Sequence, residues 1–281
     1  MADPYHMSTT GLRRAKSAVM LFAFGIFVLG ASSTALANFK EGWHAYQKTD
    51  FATALRIWEP LAHKGDAQAQ FNLGVLYDQG KGLARDPAQA IHWWRLAAEQ
   101  GMAAAQHNLA SHFLSGEGGK PDFEGALTWL ELAAEQGLAR SQYTLGKMLV
   151  YGHGTVRDVE SAVYWIRKAA EQGHKSAQYN LGKIFRDGNG IAPNIVAAVY
   201  WFRRAANQGH AKAQSRLSTR YVRGEGVQAD NIQALFWAIL AASKGEQLAV
   251  KIVTELRQRM SQIEVGLAER RAAAWTAKPE E

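Results

Sequence analysis

Apolar residues recur along this chain at three- and four-residue intervals, in short stretches separated by glycine, and that spacing predicts helices. Ala69, Leu73 and Tyr77 stand four residues apart with Gly74 beside them. One face of a first helix is therefore apolar and holds a small residue where another helix can come close. Gly80 ends that helix as a residue free to turn left-handed, and Gly82 lets the connection turn tightly. Asp86 sits where a side-chain oxygen accepts from the first free amides of a second helix, and Pro87 suits its first turn. Ala90, Trp93, Trp94, Ala97 and Ala98 form the stripe that this second helix buries, rings alternating with alanines so that neighbours interlock.

The same helix pair is written five times. Gly65, Gly101, Gly137, Gly173, Gly209 and Gly245 are spaced by 36 residues without insertion or deletion, which delimits repeats 65–100, 101–136, 137–172, 173–208 and 209–244. Gln70, Gln106, Gln142, Gln178 and Gln214 keep the register, as do the leucines from Leu73 to Leu217. Trp93, Trp129, Trp165, Trp201 and Trp237 do so too, and Asp86, Asp122, Asp158, Asn194 and Asp230 recur at the cap. One unit cannot bury both of its faces, so stacking completes the core and each repeat leans on its neighbours.

The ends read as caps. Residues 38–64 form a shorter pair, with helices over Phe39–Lys48 and Phe51–Lys64 joined at Thr49 and Asp50, in which Ala54, Trp58 and Leu61 continue the second-helix pattern. Residues 245–275 close the other end. Leu248–Met260 keeps a helical pattern, Ser261 to Glu264 resembles a capping box opening a last helix to about Trp275, and 276–281 reads as a loose tail.

Before this array, Arg13, Arg14 and Lys16 precede an apolar run from Ala18 to Leu29 and a small-residue stretch ending in Ala35-Leu36-Ala37. These are the parts of a secretory signal peptide, with cleavage expected after Ala37 and a periplasmic or secreted mature protein. About a dozen apolar residues fall short of the ~20 that span a bilayer, so no stable membrane span is expected after cleavage. The chain has no cysteine, which excludes disulfides, thiolate metal sites and a cysteine nucleophile. Charge is unevenly placed: residues 38–136 carry 8 basic and 12 acidic side chains, residues 137–245 carry 15 and 6, and residues 246–281 carry 6 and 6. A basic later half attracts acidic partners. Nucleic acid is a poor candidate for an exported protein.

The run Gly173-x-x-x-Ala177-Gln178-x-x-Leu181-Gly182, then Gly188-x-Gly190, then Ala198-x-x-Trp201-x-x-x-Ala205-Ala206-x-Gln208 resembles the Sel-like repeat, a relative of the tetratricopeptide repeat. Ala110 and Ser218 depart from it in place of the close-contact glycine, Leu149 in place of an aromatic, and Asn194 at the cap. The resemblance implies an all-α, right-handed α/α superhelical solenoid whose inner groove holds a peptide or protein. It also implies an adaptor. Exported bacterial relatives are associated with envelope assembly, exopolysaccharide export and inhibition of sensor kinases, and some relatives with cell-wall or β-lactam chemistry.

Chemistry of other kinds finds little support in the residues. The Gly-x-Gly pairs lie between two helices, with no preceding strand and no Lys-Ser/Thr ending, so they are turns and not phosphate loops. No His-Glu-x-x-His occurs; His107 and His112 diverge around a helix, while His174 and His210 recur just after the repeat glycine and suit a helix entry. No Ser-x-x-Lys appears. No catalytic residue, metal or cofactor is therefore expected.

A partner is expected on the face of each first helix opposite its core stripe, which in a tetratricopeptide-like coil lines the groove. Phe71, His107, Arg140, Tyr143, Lys147, Tyr179, Lys183, Arg186 and Lys212 fall on that face. Repeats three and four each combine a tyrosine with two cations, a pairing suited to an acidic or C-terminal peptide.

Overall fold

The computed structural model describes residues 33–117 and 119–278, with side chains from residue 38 onward. The expected signal segment lies mostly outside the described residues, as do Gly118 and residues 279–281. Fourteen α-helices and no strands make up the described residues. They run as antiparallel pairs: α1 (Ser33–Gln47) and α2 (Phe51–His63), α3 (Ala67–Gln79) and α4 (Pro87–Glu99), α5 (Ala103–Ser115) and α6 (Phe123–Glu135), α7 (Ala139–Tyr151) and α8 (Val159–Glu171). There follow the pairs α9 (Lys175–Asp187) and α10 (Ile195–Asn207), and α11 (Ala211–Arg223) and α12 (Asn231–Ala242); the last two helices, α13 (Gln247–Arg259) and α14 (Gln262–Ala273), each pack on α12 and not as a pair on one another. From α1 to α13 each helix packs on its neighbours in sequence, and α14 packs on α12. The result is a helical repeat solenoid.

Local chemistry sets the helix ends. Asp86, Asp122, Asp158, Asn194 and Asp230 each accept from backbone amides of the helix they precede. Gly80, with φ +63°, closes α3, and glycines at the same repeat position close α5, α7, α9 and α11. The second loop glycine does more than permit a turn. A Cβ on Gly226 would stand 2.6 Å from the Ile195 carbonyl oxygen, so this glycine lets the loop of one repeat rest on the start of the preceding second helix. Thr49 takes φ +63° in the shorter first connection, and Asp50 caps α2 through the Thr53 amide at 3.1 Å. Ser261 and Glu264 form the expected capping box.

Two details differ from the sequence reading. Helix α1 begins at Ser33 and not at Phe39. The tail is also not loose over its first residues: the Lys278 amide donates to the Asn207 carbonyl at 2.9 Å, and Trp275 meets Trp237 edge-on at 6.4 Å.

The core is a column of close approaches. Trp94, Leu130, Ile166 and Phe202 are buried in the second helices opposite Gly74, Ala110, Gly146 and Gly182 of the first. A Cβ on Gly182 would lie 2.7 Å from the Phe202 ring. In the fifth repeat the pair becomes Ala238 and Ser218, and the serine hydroxyl donates to the Ala234 carbonyl at 2.7 Å. Size is traded across the interface, as close packing requires. The recurrent tryptophan one position earlier plays a different part. Trp93, Trp201 and Trp237 are buried but Trp129 and Trp165 only half so, and Trp129 packs against the Ala90, Trp94 and Ala97 cluster of the preceding repeat. It joins repeats instead of filling one.

A glutamine ladder runs beside this column. Gln70, Gln106, Gln142, Gln178 and Gln214 each donate to a carbonyl near the end of the preceding second helix, at 3.1 to 3.2 Å. The first four accept from Gln100, Gln136, Gln172 and Gln208 at 2.7 to 2.9 Å. Position 244 is lysine and bonds the Gly209 carbonyl at 2.6 Å, so the buried Gln214 Oε1 has no protein donor.

Candidate functional site

First helices line up side by side through contacts one repeat apart. The His107 ring Nδ1 lies 2.8 Å from the Ser141 hydroxyl, Asn180 donates to the Tyr143 hydroxyl at 2.8 Å, and the Tyr143 and Tyr179 rings rest on His174 and His210 at 4.7 and 4.6 Å between centroids. The two tyrosines are half-buried, each with one flank against the next repeat. Burial raises the Tyr143 pKa above its usual value, so the hydroxyl stays protonated at neutral pH.

Helix geometry places a cation one turn beyond each ring. Lys147 Nζ stands 5.9 Å from the Tyr143 centroid and Lys183 Nζ 6.0 Å from that of Tyr179. Four residues on a helix bring such pairs onto one face, and 36 residues of sequence bring the pairs onto adjacent helices. Arg140 and Lys212 are exposed on the first turns of α7 and α11. These six residues share the face that the spacing implied.

The other three are placed differently. Phe71 is half-buried among the Ala90, Trp94 and Leu109 cluster, and its carbonyl accepts from Trp94 Nε1 at 3.2 Å, so its ring belongs to the packing. Arg186 makes two bonds to its neighbour Asp187, at 2.6 and 2.7 Å; that pairing holds its pKa up and commits two guanidinium nitrogens. His107 is neutral at physiological pH, since burial first, then Arg140 and His174, bring its pKa down to about 4. Its contact with Ser141 has the atoms of a nucleophilic pair, but Ser141 is fully buried and no substrate reaches it.

Sequence reasoning missed His174, His210 and Asn180 as parts of this face. The histidines did read as helix entries, and each accepts a backbone amide on Nδ1 at 3.2 Å. Burial lowers the pKa of both, that of His210 to about 4. Asn72, Asn108 and Asn180 share one repeat position, the signal that could have pointed to the bond with Tyr143. Arg220 was also missed: it is buried, pairs with Glu225, and is pushed to lower pKa by burial and by Arg186, Arg223 and Arg216.

Among the described residues no group of three or more histidine, aspartate or glutamate side chains is placed to hold a metal ion, and no helix is long and apolar enough to cross a membrane. What the face offers is ring area, lysine ammonium groups and hydrogen-bonding edges.

Comparison with known proteins accords with this architecture. The Sel1 repeat model matches five times in succession, at residues 67–102, 103–138, 139–174, 175–210 and 211–246, the 36-residue period offset by two from the glycine register. Among solved structures, a protective antigen of uropathogenic Escherichia coli strains displaying an SLR fold is similar with TM-score 0.78 and 31% identity over 85% of this chain. The chain spans about half of that protein's length, 52%. A Sel1 repeat protein from Oxalobacter formigenes is similar with TM-score 0.72 and 29% identity, over 87% of this chain and 98% of that one. No protein of curated description matches the chain.

Proposed function

The chain belongs to the Sel1 repeat family, whose solenoids generally serve protein–protein interaction, and on that premise we propose that it is an exported, non-catalytic adaptor holding an acidic or C-terminal peptide of a protein partner across the first helices of repeats three and four. The observation that carries this reading is the duplicated unit of ring and cation, Tyr143 with Lys147 and Tyr179 with Lys183, one repeat apart on adjoining helices. Rings give contact area at low entropic cost, and an ammonium group already held over a ring face needs little ordering to meet a carboxylate. Arg140 and Lys212 extend the same sign of charge to either side. The surplus of 15 basic over 6 acidic side chains in residues 137–245 steers such a partner toward this end of the coil. The leader within residues 1–37 places the work in the periplasm or outside the cell, and envelope assembly or exopolysaccharide export is the setting it suits.

The test is capture of the partner from envelope extract by the purified chain and by the double variant Lys147→Glu, Lys183→Glu. Lys147 is exposed and Lys183 half-buried, so melting stays within about 1 kcal/mol of the parent while capture falls at least ~10-fold. Undiminished capture by the variant contradicts the site. Tyrosine variants are the poorer probe, because Tyr143 and Tyr179 also hold neighbouring repeats together.

A further inference from the structure

The second helices carry a separate exposed stripe that the peptide site does not use. It bears Glu124, Glu131 and Glu135 on α6, Glu160, Tyr164, the half-buried Arg167 and Glu171 on α8, and Val196, Tyr200 and Arg203 on α10, with Leu132 and the half-buried Arg204 one position along. Four large apolar side chains stand in it at high exposure: Leu132 at 42%, Tyr164 at 43%, Tyr200 at 52% and Val196 at 61%. Isolated exposed residues need no explanation, but a set of this size rimmed by charge on three adjacent helices marks a contact surface. The same stripe on α12 reads Ile232, Phe236 and Ile239, and there α14 lies over it. Within this one molecule, then, the stripe is already a place where another helix docks.

Its charge changes sign from one edge to the other. Helix α6 presents three glutamates, while α10 carries the exposed Arg203, which also bonds the Tyr221 hydroxyl at 3.0 Å, and the half-buried Arg204, 4.9 Å from the Trp201 ring centroid. Turned over, the outer helices of such a surface are complementary, α6 to α10, while α8 meets its own copy with Tyr164 at the centre. We propose that two copies of this chain associate through this stripe about a two-fold axis running along α8, so that α6 of each copy lies on α10 of the other. Rotation about that axis preserves height along the helices. Glu131 and Arg203 hold the same repeat position, so they meet across the axis twice, while Val196 and Tyr200 are covered. Thirteen residues at ~1.5 Å each and three helices ~10 Å apart give roughly 600 Å² on each copy. Counted over both copies that is ~1,200 Å², the lower end of stable interfaces. The inference stands apart from the peptide site, which lies on the first helices.

Sedimentation equilibrium of the purified chain tests it. The parent is expected to pass from monomer to dimer with concentration and no further, more weakly in high salt. Arg203→Glu with Arg204→Glu, or Glu131→Arg with Glu135→Arg, each raises the dissociation constant about tenfold or more, because like charges then face each other twice. Mixing the two variants restores association as a heterodimer, both pairings being opposite again. Val196→Asp, at a side chain too exposed to affect folding, also disperses the dimer by placing a carboxylate opposite Glu124. A parent that stays monomeric up to its solubility, a dimer indifferent to the reversals, or a mixture that fails to associate overturns the proposal. So does growth beyond the dimer.

Discussion

His174 and His210 show how much one side chain settles at a repeat boundary. Each accepts a helix amide on Nδ1, lies under a tyrosine ring, and has its pKa lowered chiefly by burial. Burial, and a bond that needs Nδ1 unprotonated, favour the neutral imidazole. The unfolded chain therefore takes up protons nearer pH 6.5 than the folded one does, and stability falls as pH drops from about 6.5 toward 4. Melting temperature against pH should show that slope, flatter in His174→Asn with His210→Asn, where an amide oxygen keeps the cap and nothing titrates. An equal slope in the variant contradicts the assignment. Gln214 gives a second prediction. Gln208 bonds both Gly173 and Gln178, at 2.8 and 2.9 Å, and glutamine at position 244 can do the same for Gly209 and Gln214. Lys244→Gln should add about 1 kcal/mol by satisfying a buried acceptor, or about 2–4 °C in calorimetry. No gain, or a loss, counts against the ladder. The glutamine column was visible in the sequence; its partner was not, because a bond across 30 residues leaves no local pattern.

At the scale of helices, the period fixes the fold but not which side chain fills the core. The tryptophan column is the loudest signal in the sequence, yet Trp165 is half-buried while Phe202, in the quieter column beside it, is fully buried against Gly182. Helix–helix distance is set by the glycine, and the residue opposite must match it in size. Phe202→Ala should accordingly cost about 3–5 kcal/mol in denaturant unfolding, and Trp165→Ala clearly less. The reverse order contradicts this account of the interface. The caps and glycine turns were legible residue by residue because their chemistry is local. The candidate face was legible as a set of positions, through helix periodicity. The sequence could not tell that Phe71 turns into the packing, since that depends on where the next helix lies; the Arg186–Asp187 pair joins adjacent residues and depends on the rotamers the two side chains adopt.

Over the whole molecule, regular stacking gives the chain long faces on which small differences between repeats accumulate. On the first helices they gather rings and lysines in repeats three and four; on the second helices they set glutamates at one edge and arginines at the other. The fold repeats, and the surface does not. The claim that the first-helix face holds the partner is tested most directly by site-specific photocrosslinking in intact cells, with a photoreactive residue at Lys147, at Lys183 and, for comparison, at the exposed Arg259 of α13. The account predicts one discrete adduct from positions 147 and 183, the same protein in both, and none from 259. Adducts of equal yield from all three positions, or from 259 alone, would contradict it.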